Sequence, residues 1–157
     1  MGDARRFDLF AKMVATQFPC YLERNIADVA GGKGYLQAAL RQIGFRHVKS
    51  WDKRRGKAHR QAFYRYGHFH WKLAPDYDLV VAMHPDEATD HVVMYSASRH
   101  IPAIICPCCI KPDASTFWNG TYREWCQHLD KLASGMRTQW LTLPMQGRND
   151  VLIMRNK

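Results

Sequence analysis

The sequence has no apolar run long enough to cross a bilayer and no secretory apolar segment, so neither a membrane span nor an exported precursor is expected. Asp3 and Asp8, set among the N-terminal arginines, make a poor transit peptide. Cysteines number only five, and Cys106, Cys108 and Cys109 crowd at the end of one apolar run. That odd, clustered set argues against a disulfide framework and for a reducing, cytoplasmic setting. Repeats and low-complexity tracts are absent, and nothing marks a second domain. Residues 1–157 therefore read as one domain, with residues 1–20 as a helix packed on it. Acidic residues are scarce, 14 against 23 lysines and arginines, for a net charge of +9. This balance favours polyanionic partners, nucleic acid first. Hydrophobic residues at 46% and aromatics at 12% are enough for a packed core.

What the chain does have is an organising stretch, Ile26-Ala27-Asp28-Val29-Ala30-Gly31-Gly32-Lys33-Gly34-Tyr35-Leu36. A short apolar run ends in an acid, passes into glycines and opens a helical pattern (Leu36, Ala39, Leu40, Ile43). Glycines let backbone approach a ligand closely, and a helix N-terminus presents unpaired N–H groups to it. Lys33 is followed by Gly34 rather than by Ser or Thr, which rules out a phosphate-binding P-loop. Gln37 stands where a dinucleotide fingerprint needs its third glycine. Two readings remain open. One is a nucleoside-type turn, an acid followed by an approximate Gly-x-Gly-x-Gly with Ala30 in the first glycine's place; the other is a glycine cluster without a ligand.

Helical spacing of Phe7, Phe10, Ala11, Val14 and Phe18 predicts an amphipathic helix that Pro19 ends. His47 to Asp52 reads as a strand ending in an acid, roughly twenty residues past the glycines, where an acid suits ribose hydroxyls. Lys53 to Trp71 is the most basic and most aromatic segment. Lys53, Arg54, Arg55, Lys57 and Arg60 supply charge for phosphates, and the interleaved rings supply faces for bases. A solvated helix followed by a strand with core rings explains the same segment equally well. His59, His68 and His70 have no cysteine partner at zinc-finger spacing, so no metal is assigned.

Tyr77 to Met83 has a buried-strand pattern, followed at once by His84-Pro85-Asp86-Glu87-Ala88-Thr89-Asp90-His91. Residues just past a parallel strand fall in the ligand crevice, while Asp86 and Glu87 also suit the first turn of a helix over 87–99. Ile101 to Cys109 reads as another buried strand. Cys108 and Cys109 admit three readings: a nucleophile, a metal site, or burial as small apolar side chains, which the residue type favours. A helix over 122–134 and two strands over 137–145 and 150–155, joined by a hairpin, complete the chain. The order implies a doubly wound α/β sheet with one reversed edge strand.

The turn Asp28 to Gly34, the acid Asp52, the strand Asp78 to Met83 and the terminal hairpin together resemble class I S-adenosylmethionine-dependent methyltransferases across nearly the whole chain. More narrowly, His84, Thr89, Asp90, Cys108 and Cys109 are similar to a branch with His-x-Cys-Gly-x-x-Thr-Asp before a strand ending in Cys-Cys. That branch includes the eukaryotic tRNA 2′-O-ribose methyltransferase; Pro85-Asp86-Glu87 departs from its motif. The resemblance implies a Rossmann-like fold, a mostly parallel seven-stranded sheet with a reversed C-terminal edge strand and helices on both faces. It implies S-adenosylmethionine as cofactor, RNA as acceptor and partner, and room for a homo-oligomer. Asp28, Ala30, Gly31, Gly32 and Gly34 would shape the pocket for the methionine part, and Asp52 would hold the ribose. Trp51 or Lys53 would flank the adenine, with His68 and Phe69 near the base. Ala82, Met83 and His84 would line the crevice, where His84, Asp86 and Glu87 are the candidate proton acceptors. A catalytically weak RNA-binding scaffold, or a methyltransferase for a protein or small molecule, are the alternatives.

Overall fold

The computed structural model describes residues 3–54, 63–112 and 118–157. Helix α1 (Arg6–Gln17) forms where the spacing places it and buries Phe10, Ala11 and Val14. Strand β1 (Asn25–Val29) is apolar on both faces except at its first residue and at Asp28. Helix α2 (Tyr35–Ile43) starts after Gly34 and stops at Gly44, whose N–H donates to the carbonyls of Leu40 and Arg41. Gly44 sits at φ 126, a conformation a side chain would strain.

Strand β2 (His47–Asp52) is followed by a short β3 (Tyr64–Tyr66), then by β4 (Leu79–Met83), which is buried throughout. After β4 the predicted helix begins as a 3₁₀ turn over Asp86–Ala88, because Thr89 Oγ1 donates to the Asp86 carbonyl and Pro85 precedes it; α3 then runs over Thr89–Arg99. Strand β5 is only Ala103–Cys106, bounded by Pro102 and Pro107, which have no N–H for a ladder. Helix α4 (Tyr122–Leu132) opens on a capping box between Thr121 and Glu124. Strands β6 (Arg137–Thr142) and β7 (Asp150–Arg155) close the chain as the expected antiparallel pair.

The seven strands lie in the order β3-β2-β1-β4-β5-β7-β6. Strands β1 to β5 run parallel, and reversed β7 pairs antiparallel with both β5 and β6. Because side chains alternate along a strand, β4 divides its residues between two apolar layers. Leu79, Val81 and Met83 pack with Phe10, Leu36 and Leu40 of α1 and α2. Val80 and Ala82 pack with Val92, Tyr95, Trp125 and Leu129 of α3 and α4. Helices therefore cover both faces, as a parallel sheet requires. From β1 the chain steps outward to β2 and β3, then returns to β4 on β1's other side. That reversal opens a crevice beyond the strands' C-terminal ends. No helix among the described residues is long and apolar enough to cross a membrane.

Phe10 is fully buried and joins α1 to the layer shared with α2 and the sheet. Phe10→Ala is expected to cost about 3–5 kcal/mol, read as a lower denaturant midpoint at unchanged slope.

Candidate functional site

The turn after β1 is held by contacts a side chain at Gly31 would break. A Cβ there would stand 2.6 Å from Asp28 Oδ2 and 2.9 Å from Ser50 Cβ. Gly31 N–H donates to the Trp51 carbonyl at 2.9 Å, and Gly34 N–H to the Gly31 carbonyl at 2.8 Å. Tyr64 Oη donates to the Gly32 carbonyl at 2.5 Å, so β3 clamps the turn from outside. Ala30 takes φ 59. A left-handed residue is what a glycine would adopt without strain, which explains why the related motif has glycine at this place.

Two carboxylates flank the turn and behave oppositely. Asp28 is buried and accepts a hydrogen bond from Ser50 Oγ at 2.7 Å. Burial pushes its carboxyl up to about 7, with the nearby Asp52 charge adding to the effect. Asp52, ending β2, accepts from Gly32 N–H at 2.8 Å and Arg54 N–H at 2.8 Å, with the Arg54 guanidinium at 3.2 Å. Its burial acts to raise the pKa, but these donors and the guanidinium charge outweigh burial and hold it below the usual carboxylate range.

A cleft of about 350 Å³ opens beside Asp52. Val29, Ala30 and Trp51 to Arg54 form one side, Gly67 to Phe69 the end, and Pro85 to Ala88 with His91 and Lys111 the other side. Phe69 is buried against Trp51, Tyr77 and Tyr95, with ring centroids 5.5, 6.5 and 5.0 Å away. Trp51 Nε1 donates to Tyr77 Oη at 2.8 Å, and the Arg65 guanidinium stacks on the Trp51 ring at 4.4 Å. These rings make a rigid apolar floor.

At the β4 end, His84 and Asp86 both have positive φ, 53 and 52. Of the four non-glycine residues with positive φ among the described residues, Ala30, His84 and Asp86 stand at the ends of β1 and β4. Strained backbone gathered at one crevice makes it the candidate functional site. His84 Nε2 lies 3.1 Å from the Arg148 carbonyl, which only accepts, so the proton sits on Nε2. Burial lowers its pKa, and the ring is neutral at pH 7 with a lone pair on Nδ1. Asp86 Oδ1 accepts from Cys108 Sγ at 3.1 Å and lies 3.4 Å from Lys111 Nζ. Glu87 pairs with Lys53 across the cleft.

The structure brings Ala30, Asp52, Lys53, His68, Phe69, Asp86 and Glu87 together around the cleft. Asp28, Gly31, Gly32 and Gly34 shape the adjoining turn; Ala82 and Met83 lie buried in β4, and His84 turns toward the loop between β6 and β7. Among the basic residues, Lys53 and Arg54 are committed to Glu87 and Asp52, while Arg55, Lys57 and Arg60 lie outside the described residues. The stretch His84 to His91, expected at the crevice, supplies His91 to the lining; sequence reasoning missed Tyr64 and Lys111. Both lie in segments with no periodicity that aims their tips.

Two outcomes follow from the turn. Ala30→Gly relieves the left-handed strain and is expected to stabilise by about 0.5–1 kcal/mol, a rise of roughly 2–4 °C in thermal midpoint per kcal/mol. Asp28 is protonated when folded and ionised when unfolded between its ordinary value of 3.8 and about 7. Stability is therefore full below pH 4, falls as pH rises to about 7 and is flat above that. Asp28→Asn should abolish this fall, by up to a few kcal/mol, in unfolding curves measured from pH 4 to 8.

No protein-family model and no curated protein matches the sequence. Solved structures do match. DesVI from Streptomyces venezuelae is 12% identical with a TM-score of 0.69, over 98% of this chain and 93% of that one. The ribosomal protein L11 methylase from Lactobacillus delbrueckii subsp. bulgaricus is 16% identical with a TM-score of 0.66, over 100% and 82%. Human N-acetylserotonin methyltransferase, in complex with SAM, is 15% identical with a TM-score of 0.59, over 93% of this chain and 51% of that one. The chain has the Rossmann-like fold of the class I methyltransferases.

Proposed function

We propose that this chain is an S-adenosylmethionine-dependent methyltransferase with RNA as its acceptor. The observation that carries the enzyme reading is Asp52. It is a buried, ionised carboxylate at the end of β2, bonded to a glycine-turn N–H twenty positions earlier and open to the cleft at the sheet's switch point. The match to a methyltransferase solved with SAM supports the same cofactor.

The residues present fit that cofactor. Asp52 would accept the ribose hydroxyls once the Arg54 guanidinium yields its place; that side chain is 68% exposed and held by bonds of 3.2 and 3.3 Å. Trp51, Lys53 and the 67–69 segment would flank the adenine. The Asp28 to Gly34 turn would take the methionine part, with no Cβ at Gly31 to crowd it. When bound, the cofactor supplies an electrophilic methyl group for in-line displacement. The protein's part is then to align an acceptor and exclude water, and the rigid ring floor and strained β4 end suit that task. Asp86 and Glu87 face the cleft as ion-paired carboxylates, suited to hydrogen-bonding an acceptor. His84, the third candidate for taking a proton, is kept neutral by burial but lies outside the cleft lining with Nε2 on the Arg148 carbonyl, so Asp86 and Glu87 are better placed for that role.

Support for RNA comes from the net charge of +9, the narrow motif resemblance and the exposed rings of Phe63 and Tyr66 beside the basic segment. A protein or small-molecule acceptor is the second reading. It is favoured by the pairing of Lys53 and Arg54 with acids, which removes two cations from a phosphate-binding surface.

Calorimetric titration with S-adenosylhomocysteine is expected to show micromolar binding, weakened about ten- to hundredfold in Asp52→Ala by loss of charge-assisted hydrogen bonds. Absence of binding to folded protein overturns the enzyme reading and leaves an RNA-binding scaffold. Labelled methyl should then enter total RNA; label only in an extract freed of nucleic acid establishes the second reading.

A further inference from the structure

Three donor atoms converge where β4 and β5 end. Cys108 Sγ and Cys109 Sγ lie 3.2 Å apart, and both approach the same oxygen, Asp86 Oδ1, at 3.1 and 3.8 Å. All three residues are partly buried, and their donor atoms lie within 4.8 Å of one another. Neighbouring Cys106 differs: it is fully buried, and its thiol lies 3.7 Å from the Arg148 carbonyl. Simple burial as an apolar side chain therefore accounts for Cys106 and not for the pair after it.

We infer that Asp86, Cys108 and Cys109 form a binding site for a thiophilic divalent cation, zinc first. Zinc–sulfur bonds of about 2.3 Å and zinc–oxygen bonds of about 2.0 Å at tetrahedral angles require S···S near 3.8 Å and S···O near 3.5 Å. The observed 3.2, 3.1 and 3.8 Å come within about 0.6 Å of those edges, a shift that side-chain rotation supplies. Two thiols and a carboxylate are a borderline-soft donor set, which selects zinc over magnesium or calcium. Three protein ligands are the number used by zinc sites that keep a water or substrate atom in fourth place. Charge also balances: two thiolates and a carboxylate around a dication leave one negative charge, and Lys111 Nζ stands 3.4 Å from Asp86 to neutralise it. Binding exchanges two thiol protons for the metal, M²⁺ + 2 RSH giving M(SR)₂ + 2 H⁺, so affinity rises with pH. The site shares Asp86 and Lys111 with the cleft, while its two thiols lie outside the cleft lining; metal binding is therefore read on the protein without cofactor or acceptor.

Cobalt(II) is the probe, because thiolate ligation gives it a charge-transfer band in the near ultraviolet. Reduced, full-length protein under argon is expected to bind one equivalent, to be displaced by zinc, and to bind more tightly as pH rises. Cys108→Ser and Cys109→Ser should each remove most of the band, and Asp86→Asn should weaken binding at least about tenfold. Cys20→Ser, which alters a distant exposed thiol, should leave binding unchanged. Circular dichroism on each variant confirms folding. No band with folded wild-type protein overturns the inference. So does a band that survives the Cys108→Ser/Cys109→Ser double variant, or an affinity that Asp86→Asn leaves unaltered.

Discussion

The hydrogen bond from Gly32 N–H to the Asp52 carboxylate ties together the two features on which the site depends. One is a glycine turn that must leave β1 in a strained conformation; the other is an acid at the neighbouring strand's end. The bond carries full weight only while Asp52 is ionised, since an ionised acceptor strengthens it. Arg54 helps keep it so. The parallel register of β1 and β2, with Val29 beside Trp51, places the acid over the turn, so sheet pairing aligns the site before any ligand enters.

Asp28 and Asp52 show how burial and hydrogen bonding divide labour. Both sit at strand ends and both are almost inaccessible. Asp28 has one hydroxyl donor and little else to offset desolvation, so its proton is retained to about 7. Asp52 has two backbone donors and a guanidinium, and burial loses. The charged member of the pair is the one facing the cleft. Asp28 instead packs against Gly31, fixing the turn from beneath.

The fold was largely legible in the sequence because its elements follow simple periods. Helix α2 and strand β2 appear over the residues the patterns predict, Tyr35–Ile43 and His47–Asp52. Boundaries drifted where local chemistry intervened: Pro107 cut short the strand expected to reach Cys109, and a 3₁₀ turn displaced the first turn expected for α3. The acid–glycine–acid spacing located one wall of the cleft. On the opposite wall Asp86, Glu87 and His91 follow from their place just past β4, whereas Lys111 depends on where the loop after β5 runs, and no spacing in the sequence encodes that. For the rings between residues 63 and 71, core and surface explanations are each right for part: Tyr64 and Phe69 are buried, while Phe63 and Tyr66 are exposed.

Charge in the cleft is balanced by pairs. Asp52 holds Arg54, Glu87 holds Lys53, and Asp86 holds Lys111. Each cation lies partly in solvent, where screening makes its pairing weak and exchangeable. Under the proposed reading, a ligand meeting Asp52 with neutral hydroxyls replaces only the most exposed of these partners. The displaced Arg54 side chain, already 68% exposed, would then be available to an anion. Under that reading, occupation of Asp52 by a ligand and the release of the Arg54 charge would be two sides of one exchange at a single carboxylate.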